Sequence, residues 1–210
     1  TKKRVTASST ARARRARRAR ARAAAQAKAL AEAKEPRFKT DANGVEVPDV
    51  RAEAAIIYNP ENGQILWESN SQNQRSIASI TKVMTSYVVS AELAHGKVKL
   101  DDAVFISEHA WRGGGAGTDG STSFLPVNQT VPLKDLLYGM VIQSGNDASI
   151  ALAEHVGGSE PTFAQLMNEY AAKIGLTGTH YVNSHGLSAP EHHTTALDVA
   201  RLSRALISDF

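Results

Sequence analysis

The chain of 210 residues is long enough to form one domain with a sizeable apolar core, and 42% of its residues are hydrophobic. It contains no cysteine, which excludes disulfides, thiolate nucleophiles and cysteine-ligated zinc. The net charge of +3 conceals two regions of opposite sign: residues 1–35 hold 12 Lys or Arg against two acids, which gives +10, and the remaining 12 basic and 19 acidic residues give −7.

The first region, residues 1–35, is rich in interleaved Arg and Ala. Like-charge repulsion and the lack of an apolar stripe predict a disordered basic arm here rather than a stable helix. Such an arm is either a solvated tail or an electrostatic contact to an anionic surface polymer or membrane. It has no interleaved aromatic residues, so we expect no specific nucleic acid partner. Residues 36–49, which begin and nearly end with proline, predict a linker.

Membrane and export signals are not visible in the sequence. No apolar run reaches the roughly 18 residues of a membrane span. The charged start also lacks the apolar stretch of a signal peptide. If the protein is exported, we expect its signal to have been removed from this sequence.

Regular structure is predicted from about residue 50 onward. Residues 54–58 and 64–68 predict two strands joined by a turn as a β-hairpin. Apolar spacing then predicts helices at about 80–93, 133–142, 147–156 and 161–174, and a last helix that begins at Thr195, where Asp198 completes a capping-box pattern. This order predicts an α+β fold with an incomplete sheet, because a lone hairpin is marginal in water. The last helical pattern runs to Phe210 without a cap, so we expect the chain to be truncated.

The first chemical signal is Ser79-Ile80-Thr81-Lys82. Positions i and i+3 of a helix share a face, so the Ser79 hydroxyl and the Lys82 amine can meet. Serine needs a base to become a good nucleophile, and lysine serves as one when burial or a neighbouring cation lowers its pKa. Taken alone, however, the pattern is more typical of a serine helix cap followed by a solvated lysine.

The second signal is Ser144-Gly145-Asn146-Asp147, which interrupts two apolar helices. A polar break at that place is either a helix–helix turn with a capping side chain or a serine and an amide presented to a cleft. Only the order of both signals in one chain favours the second interpretation.

Ser-x-x-Lys followed by Ser-x-Asn resembles the motif order of penicillin-binding proteins and serine β-lactamases. Residues 76–87 resemble the nucleophile helix of low-molecular-mass penicillin-binding proteins. Residues 143–148 resemble the second motif of their D-Ala-D-Ala carboxypeptidase branch, and residues 183–187 and 194–198 resemble a structural stretch of the same family. The resemblance implies a β-lactamase/D,D-peptidase-like α+β fold, in which helices flank an antiparallel sheet that lies partly outside this chain. Residues 50–210 would be the N-terminal portion of the catalytic domain.

The resemblance also implies roles for four residues. Ser79 would attack the penultimate D-Ala carbonyl of a peptidoglycan stem peptide, and Lys82 would take its proton. Ser144 would relay a proton towards the leaving amine, and Asn146 would bind the substrate amide and help to position Lys82. β-Lactams would acylate Ser79 as substrate mimics. No cofactor or metal is implied, and the location would be periplasmic or otherwise extracytoplasmic.

Four alternatives stay open, and one of them is an interaction protein that binds through its basic arm and whose body is a scaffold. The family's third motif, Lys-Thr-Gly, does not occur in these 210 residues, which leaves room for a non-catalytic binder of peptidoglycan or β-lactam. Residues 75–79 and the preceding hairpin look closer to D,D-endopeptidases, which cleave cross-links. A β-lactamase is less favoured, since it would need a deacylating acid in a setting such as Glu-x-x-x-Asn, and neither Glu160 nor Glu169 has one.

Other features carry weaker signals. The adjacent pair His192-His193 lacks the spacing of a zinc site. The glycine-rich residues 113–117 lack the ending of a phosphate loop. His185, beside Gly186, is expected to be a packed, hydrogen-bonded residue rather than a catalytic base.

Overall fold

The computed structural model describes residue 17 and residues 19–26, 37–114 and 120–210. The chain divides into two compact units, Thr1–Arg51 and Ala52–Phe210. Within the basic arm, residues 19–26 are helical, and most of the disorder predicted for residues 1–35 concerns positions outside the described residues. Among the described helices, none combines the length and the apolar character that crossing a bilayer requires.

The segment predicted as a linker contains a small hairpin. Strands β1 (Phe38–Thr40) and β2 (Glu46–Pro48) pair antiparallel. The turn between them is closed by Asp41, whose Oδ1 accepts the backbone N–H groups of Asn43 and Val45 at 2.9 Å each. Strands of three residues are too short to show an alternating pattern, which is why the sequence predicted only a connection.

The second unit opens with the hairpin that the sequence predicted. Strands β3 (Ala55–Tyr58) and β4 (Ile65–Ser69) pair antiparallel. Their turn ends at Gly63, whose φ of +77° lies in the region that glycine occupies most readily. Two further antiparallel pairs were not predicted: β5 (Arg75–Ser76) with β8 (His193–Thr194), and β6 (Ala103–Phe105) with β7 (Thr130–Pro132).

The described residues of the second unit form six helices. Their bounds are α1 (Thr81–Ala94), α2 (Glu108–Gly114), α3 (Leu133–Gln143), α4 (Asn146–Gly157), α5 (Glu160–Ile174) and α6 (Ala196–Asp209). Five of them were predicted to within a few residues, and α2 was missed. The predicted cap of α6 is confirmed, because Thr195 Oγ1 accepts the Asp198 backbone N–H at 3.1 Å.

The apolar core is centred on α4, whose eight residues from Asn146 to Ala153 are all buried. Side chains of α1, α3 and α5 pack around it, and among those fully buried are Met84, Val88, Leu136, Met140, Phe163 and Met167. Burial of each such side chain stabilises the fold by about 1.5–3 kcal/mol. Because α4 is surrounded, the two polar residues at its start, Asn146 and Asp147, are held inside the protein.

Candidate active site

The site begins at the turn that leads into α1. The backbone N–H of Thr81 donates to the Ala78 carbonyl, and that of Lys82 donates to the Ser79 carbonyl, both at 3.0 Å. These tight bonds put Ser79 just before the helix, where it is exposed, and Lys82 one turn later, where it is buried. A reacting molecule can therefore reach the hydroxyl while the amine lies behind it.

The Lys82 amine is held by three acceptors. Nζ donates to Asn146 Oδ1 at 2.7 Å, to the His185 carbonyl oxygen at 2.8 Å and to Ser79 Oγ at 3.2 Å. A protonated lysine has three N–H donors and no acceptor, so this arrangement uses all of them. The longest of the three bonds is the one to the serine, and that is the contact along which a proton would move.

Burial lowers the pKa of Lys82 to about 8, against the opposing effect of the nearby Asp147 charge. Desolvation disfavours the ammonium, so the neutral amine is accessible near neutral pH. A lysine with a lowered pKa beside a serine hydroxyl has the properties of a general base.

The second motif forms the break between α3 and α4. Ser144 ends α3 with a φ of +58°, the left-handed conformation that bends the chain there. Asn146 is the first residue of α4 and sends its side chain to Lys82, 64 residues earlier in the chain. Ser144 is half-buried, and in the part of the chain that the structure describes its side chain makes no hydrogen bond to Ser79 or Lys82.

Asp147, the neighbour of Asn146, organises the adjoining loop. Its carboxylate accepts the Thr122 hydroxyl at 2.8 Å, the Ser123 backbone N–H at 2.8 Å and the Leu125 backbone N–H at 3.1 Å. A charge-assisted bond of this kind is stronger than a neutral one, so a single side chain fixes residues 122–125 against the start of α4. In the sequence, Asp147 could be interpreted only as a possible helix cap.

The rear wall of the site is residues 183–186. The Ser184 carbonyl oxygen accepts the hydroxyls of Thr85 and Ser149, both at 2.6 Å. Gly186 has a φ of +94° and lies against the Ala78 carbonyl, where a Cβ would overlap the backbone. The stretch predicted to be structural therefore contacts the turn before α1 directly and supplies the His185 carbonyl to Lys82.

The histidines of this region are packing partners. His185 is buried, and its Nδ1 accepts the Leu187 backbone N–H at 3.0 Å. His192 Nδ1 accepts the Val182 N–H at 3.1 Å, and its Nε2 lies 2.8 Å from Thr81 Oγ1. Burial lowers the pKa of His192 to about 4, so the ring is neutral. Among the described residues no group of three His, Cys, Asp or Glu side chains is placed to hold a metal ion.

The family model for D-alanyl-D-alanine carboxypeptidase, Peptidase S11, matches residues 41–210. The chain belongs to this family. The D-alanyl-D-alanine carboxypeptidase DacC of Escherichia coli K12 is 46% identical over 166 residues, which are 79% of this chain and 42% of DacC. DacA of Haemophilus influenzae is 39% identical over 166 residues, again 79% of this chain and 42% of the relative. The chain therefore spans less than half the length of these carboxypeptidases.

Solved structures agree with the family assignment. Penicillin-binding protein 5 of Haemophilus influenzae matches with a TM-score of 0.76 at 39% identity, over 80% of this chain and 48% of that one. Penicillin-binding protein 6B of Escherichia coli matches with a TM-score of 0.73 at 38% identity, over 78% and 52%. These matches confirm the predicted D,D-peptidase-like α+β fold of this chain.

Proposed function

We propose that this protein is a serine-type D-Ala-D-Ala carboxypeptidase that trims peptidoglycan stem peptides through an acyl-enzyme on Ser79. The observation that carries the proposal is the contact of an exposed serine hydroxyl with a buried lysine whose pKa is lowered to about 8. Membership of the carboxypeptidase family supports the same reaction.

In the first half-reaction, Ser79 Oγ attacks the carbonyl carbon of the penultimate D-Ala as the neutral Lys82 amine takes the hydroxyl proton. The C–N bond to the terminal D-Ala breaks, and Ser144 passes a proton to the leaving nitrogen. Asn146, whose Oδ1 accepts from Lys82, would donate from its Nδ2 group to the substrate amide. Its two ends would thus couple substrate binding to the position of the base.

In the second half-reaction, water attacks the ester on Ser79, the serine recovers its proton, and the shortened stem peptide leaves. A β-lactam would acylate the same oxygen by opening its ring. Cleavage of peptide cross-links is the alternative, since it uses the same acyl-enzyme with a larger leaving group. A stem pentapeptide and a cross-linked dimer, each followed by mass spectrometry, would separate carboxypeptidase from endopeptidase activity.

The test of the nucleophile is the intact mass of the chain after incubation with benzylpenicillin, with circular dichroism to confirm that it is folded. We expect one penicilloyl adduct, located on the Ser79 peptide. Ser79→Ala should lose the adduct, and Ser76→Ala, an exposed serine three residues away, should retain it. Reversible binding of penicillin without an adduct would contradict the enzyme and favour the non-catalytic binder.

We also propose a division of labour along the chain: residues 1–35 as a basic arm, residues 36–49 as a connecting segment and residues 50–210 as catalytic-domain sequence. The compact unit that starts at Ala52 supports the last boundary. Because peptidoglycan lies outside the cytoplasmic membrane, the protein would act in the periplasm or another extracytoplasmic space. There the +10 charge of the arm would attract anionic polymer or membrane, with no specific nucleic acid partner.

A further inference from the structure

Glu160, the first residue of α5, is buried although most acids at a helix start face the solvent. The cap of this helix is Ser159, whose Oγ accepts the Thr162 backbone N–H, so Glu160 is not needed as the cap. Only 8% of Glu160 is exposed. Burying an ionised carboxylate is costly unless donors surround it, so its partners indicate what it is there to hold.

Three hydrogen-bond donors contact the Glu160 carboxylate, and the His185 ring lies beside it. Oε1 accepts the Ser184 hydroxyl at 2.7 Å and the Ser184 backbone N–H at 3.0 Å. Nε2 of His185 lies 3.4 Å from Oε1, and Nε2 of His109 lies 3.2 Å from Oε2. Because His185 Nδ1 accepts a backbone N–H, its neutral ring carries the proton on Nε2, facing the carboxylate.

The carboxylate is ionised in this setting. Burial acts to raise the pKa of Glu160, but the two hydrogen bonds from Ser184, together with the one from His109, outweigh it and hold the pKa below its usual value. Bonds to an ionised acceptor are roughly twice as strong as neutral ones. Ser184 therefore donates both of its hydrogen bonds to a charged acceptor, which holds it more strongly than a neutral one would.

Ser184 links the Glu160 carboxylate to Lys82. Its N–H and hydroxyl are fixed by Glu160, and its carbonyl is fixed on the other side by Thr85 and Ser149. The next carbonyl along the chain, that of His185, accepts from Lys82 Nζ at 2.8 Å. With Ser184 held at both ends, the His185 carbonyl has little freedom to leave the amine.

We propose that Glu160 is a positioning residue for Lys82: by clamping Ser184 it holds the His185 carbonyl against the amine and keeps that amine enclosed and aimed at Ser79. The proposal rests on the proposed function only where it treats Lys82 as the base. It gives the buried acid of α5 a part in the reaction without contact to the substrate.

The first experiment measures the pKa of Lys82 directly, from the NMR signal of its ¹³C-labelled ε-carbon, and so does not depend on acylation. In the wild-type chain we expect a pKa of about 8. In Glu160→Ala the segment 183–186 relaxes and water reaches the amine, so the pKa should rise by about one unit or more towards 10.5. Glu160→Gln, which keeps an oxygen for Ser184, should lie between the two.

Glu92→Ala is the matched control. Glu92 is 2% exposed and accepts the Tyr170 hydroxyl at 2.7 Å, with Lys97 and His95 as further partners, and it lies on the same helix as Lys82. Its removal breaks a comparable set of contacts to a buried carboxylate, but none of its partners contacts Lys82. We expect it to lower stability and to leave the Lys82 pKa unchanged.

The second experiment measures acylation by a fluorescent penicillin, where we expect Glu160→Ala to be slower by about 10- to 100-fold and Glu92→Ala to be near wild type. A Lys82 pKa that is the same in wild type and in folded Glu160→Ala would overturn the proposal, and if that variant does not fold, an unchanged pKa in Glu160→Gln would do so. The two proposals can also fail separately. If mutation of Glu160 changes the Lys82 pKa but penicillin does not acylate the wild-type chain, the positioning role is supported and the proposed function is contradicted.

Discussion

Replacing Gly186 by alanine tests how closely residues 183–186 pack on the turn around Ser79. A Cβ there would lie 2.9 Å from Thr81 Oγ1, 2.5 Å from the Ala78 carbonyl carbon and nearer still to the Ala78 oxygen. Real Cβ atoms essentially never come within 3.0 Å of another heavy atom. Since the obstacle is backbone and not the end of a flexible side chain, either residues 183–186 or the turn before Ser79 must move.

Two costs add at this position. The left-handed conformation costs a residue with a Cβ about 1–2 kcal/mol of conformational free energy. Gly186 adopts a conformation of this kind, with a φ of +94°. Overpacking a dense region costs a further 1–3 kcal/mol or so. We therefore expect Gly186→Ala to lower the free energy of unfolding by about 2–5 kcal/mol. Gly175→Ala is the control, because its φ is +83° but nothing lies within 4 Å of its added Cβ, so it should lose only the first cost.

Urea unfolding followed by circular dichroism gives the free energies, and the rate of labelling by a fluorescent penicillin reports on Ser79. We expect Gly186→Ala to acylate at least about tenfold more slowly, because a displaced Ala78–Ser79 peptide misdirects the hydroxyl. Gly175→Ala should acylate normally. Equal losses of unfolding free energy in the two variants would refute the steric argument, since only Gly186 has close neighbours.

Three other predictions concern the base, its neighbour and the arm. With a Lys82 pKa of about 8, the acylation rate measured by stopped flow should rise about tenfold from pH 7 to pH 9. Lys82→Ala should abolish acylation without changing the circular dichroism spectrum, and normal acylation by that variant would exclude the base role. Asp147→Asn turns an NH₂ group towards backbone donors and should lower the free energy of unfolding in urea by about 1–3 kcal/mol. Because the Asp147 charge raises the Lys82 pKa, its loss should lower that pKa further, and an unchanged pKa measured by NMR would contradict the coupling. Deleting residues 1–35 should leave turnover of a soluble peptide unchanged and remove salt-sensitive cosedimentation with anionic vesicles, whereas lost turnover would mean that the arm reaches the site.

The members of the site differ in how far the sequence could predict them. Ser79 and Lys82 are three residues apart in the turn that leads into α1, so local chain geometry is enough to bring them together. Asn146 was recognised by motif order, because no periodicity connects positions 64 residues apart. His185 contributes its carbonyl, a group that every residue has, so no side-chain pattern could have revealed it. Glu160 was considered only as a deacylating acid and set aside, because its burial and its contact with Ser184 cannot be seen in a sequence.

For the fold, the length of each element decides whether its pattern can be recognised in the sequence. Helices of 11 to 15 residues repeat their apolar spacing several times, and α3 to α6 were predicted from that repetition. Strands β5 and β8 have two residues each, and no alternation can be read from two positions. Helix α2, with seven residues, completes only two turns and ends in glycine. Such elements are set by contacts elsewhere in the chain.

The acceptors of the Lys82 amine lie 3, 64 and 103 residues from it along the chain. The turn that leads into α1 needs only local contacts to bring serine and lysine together, whereas the two distant partners require large loops to close. A refolding chain should thus recover helical dichroism before it regains reactivity towards a labelled penicillin. Labelling by the antibiotic would then report on the last step of folding, because it would modify only those chains whose distant segments are already in contact.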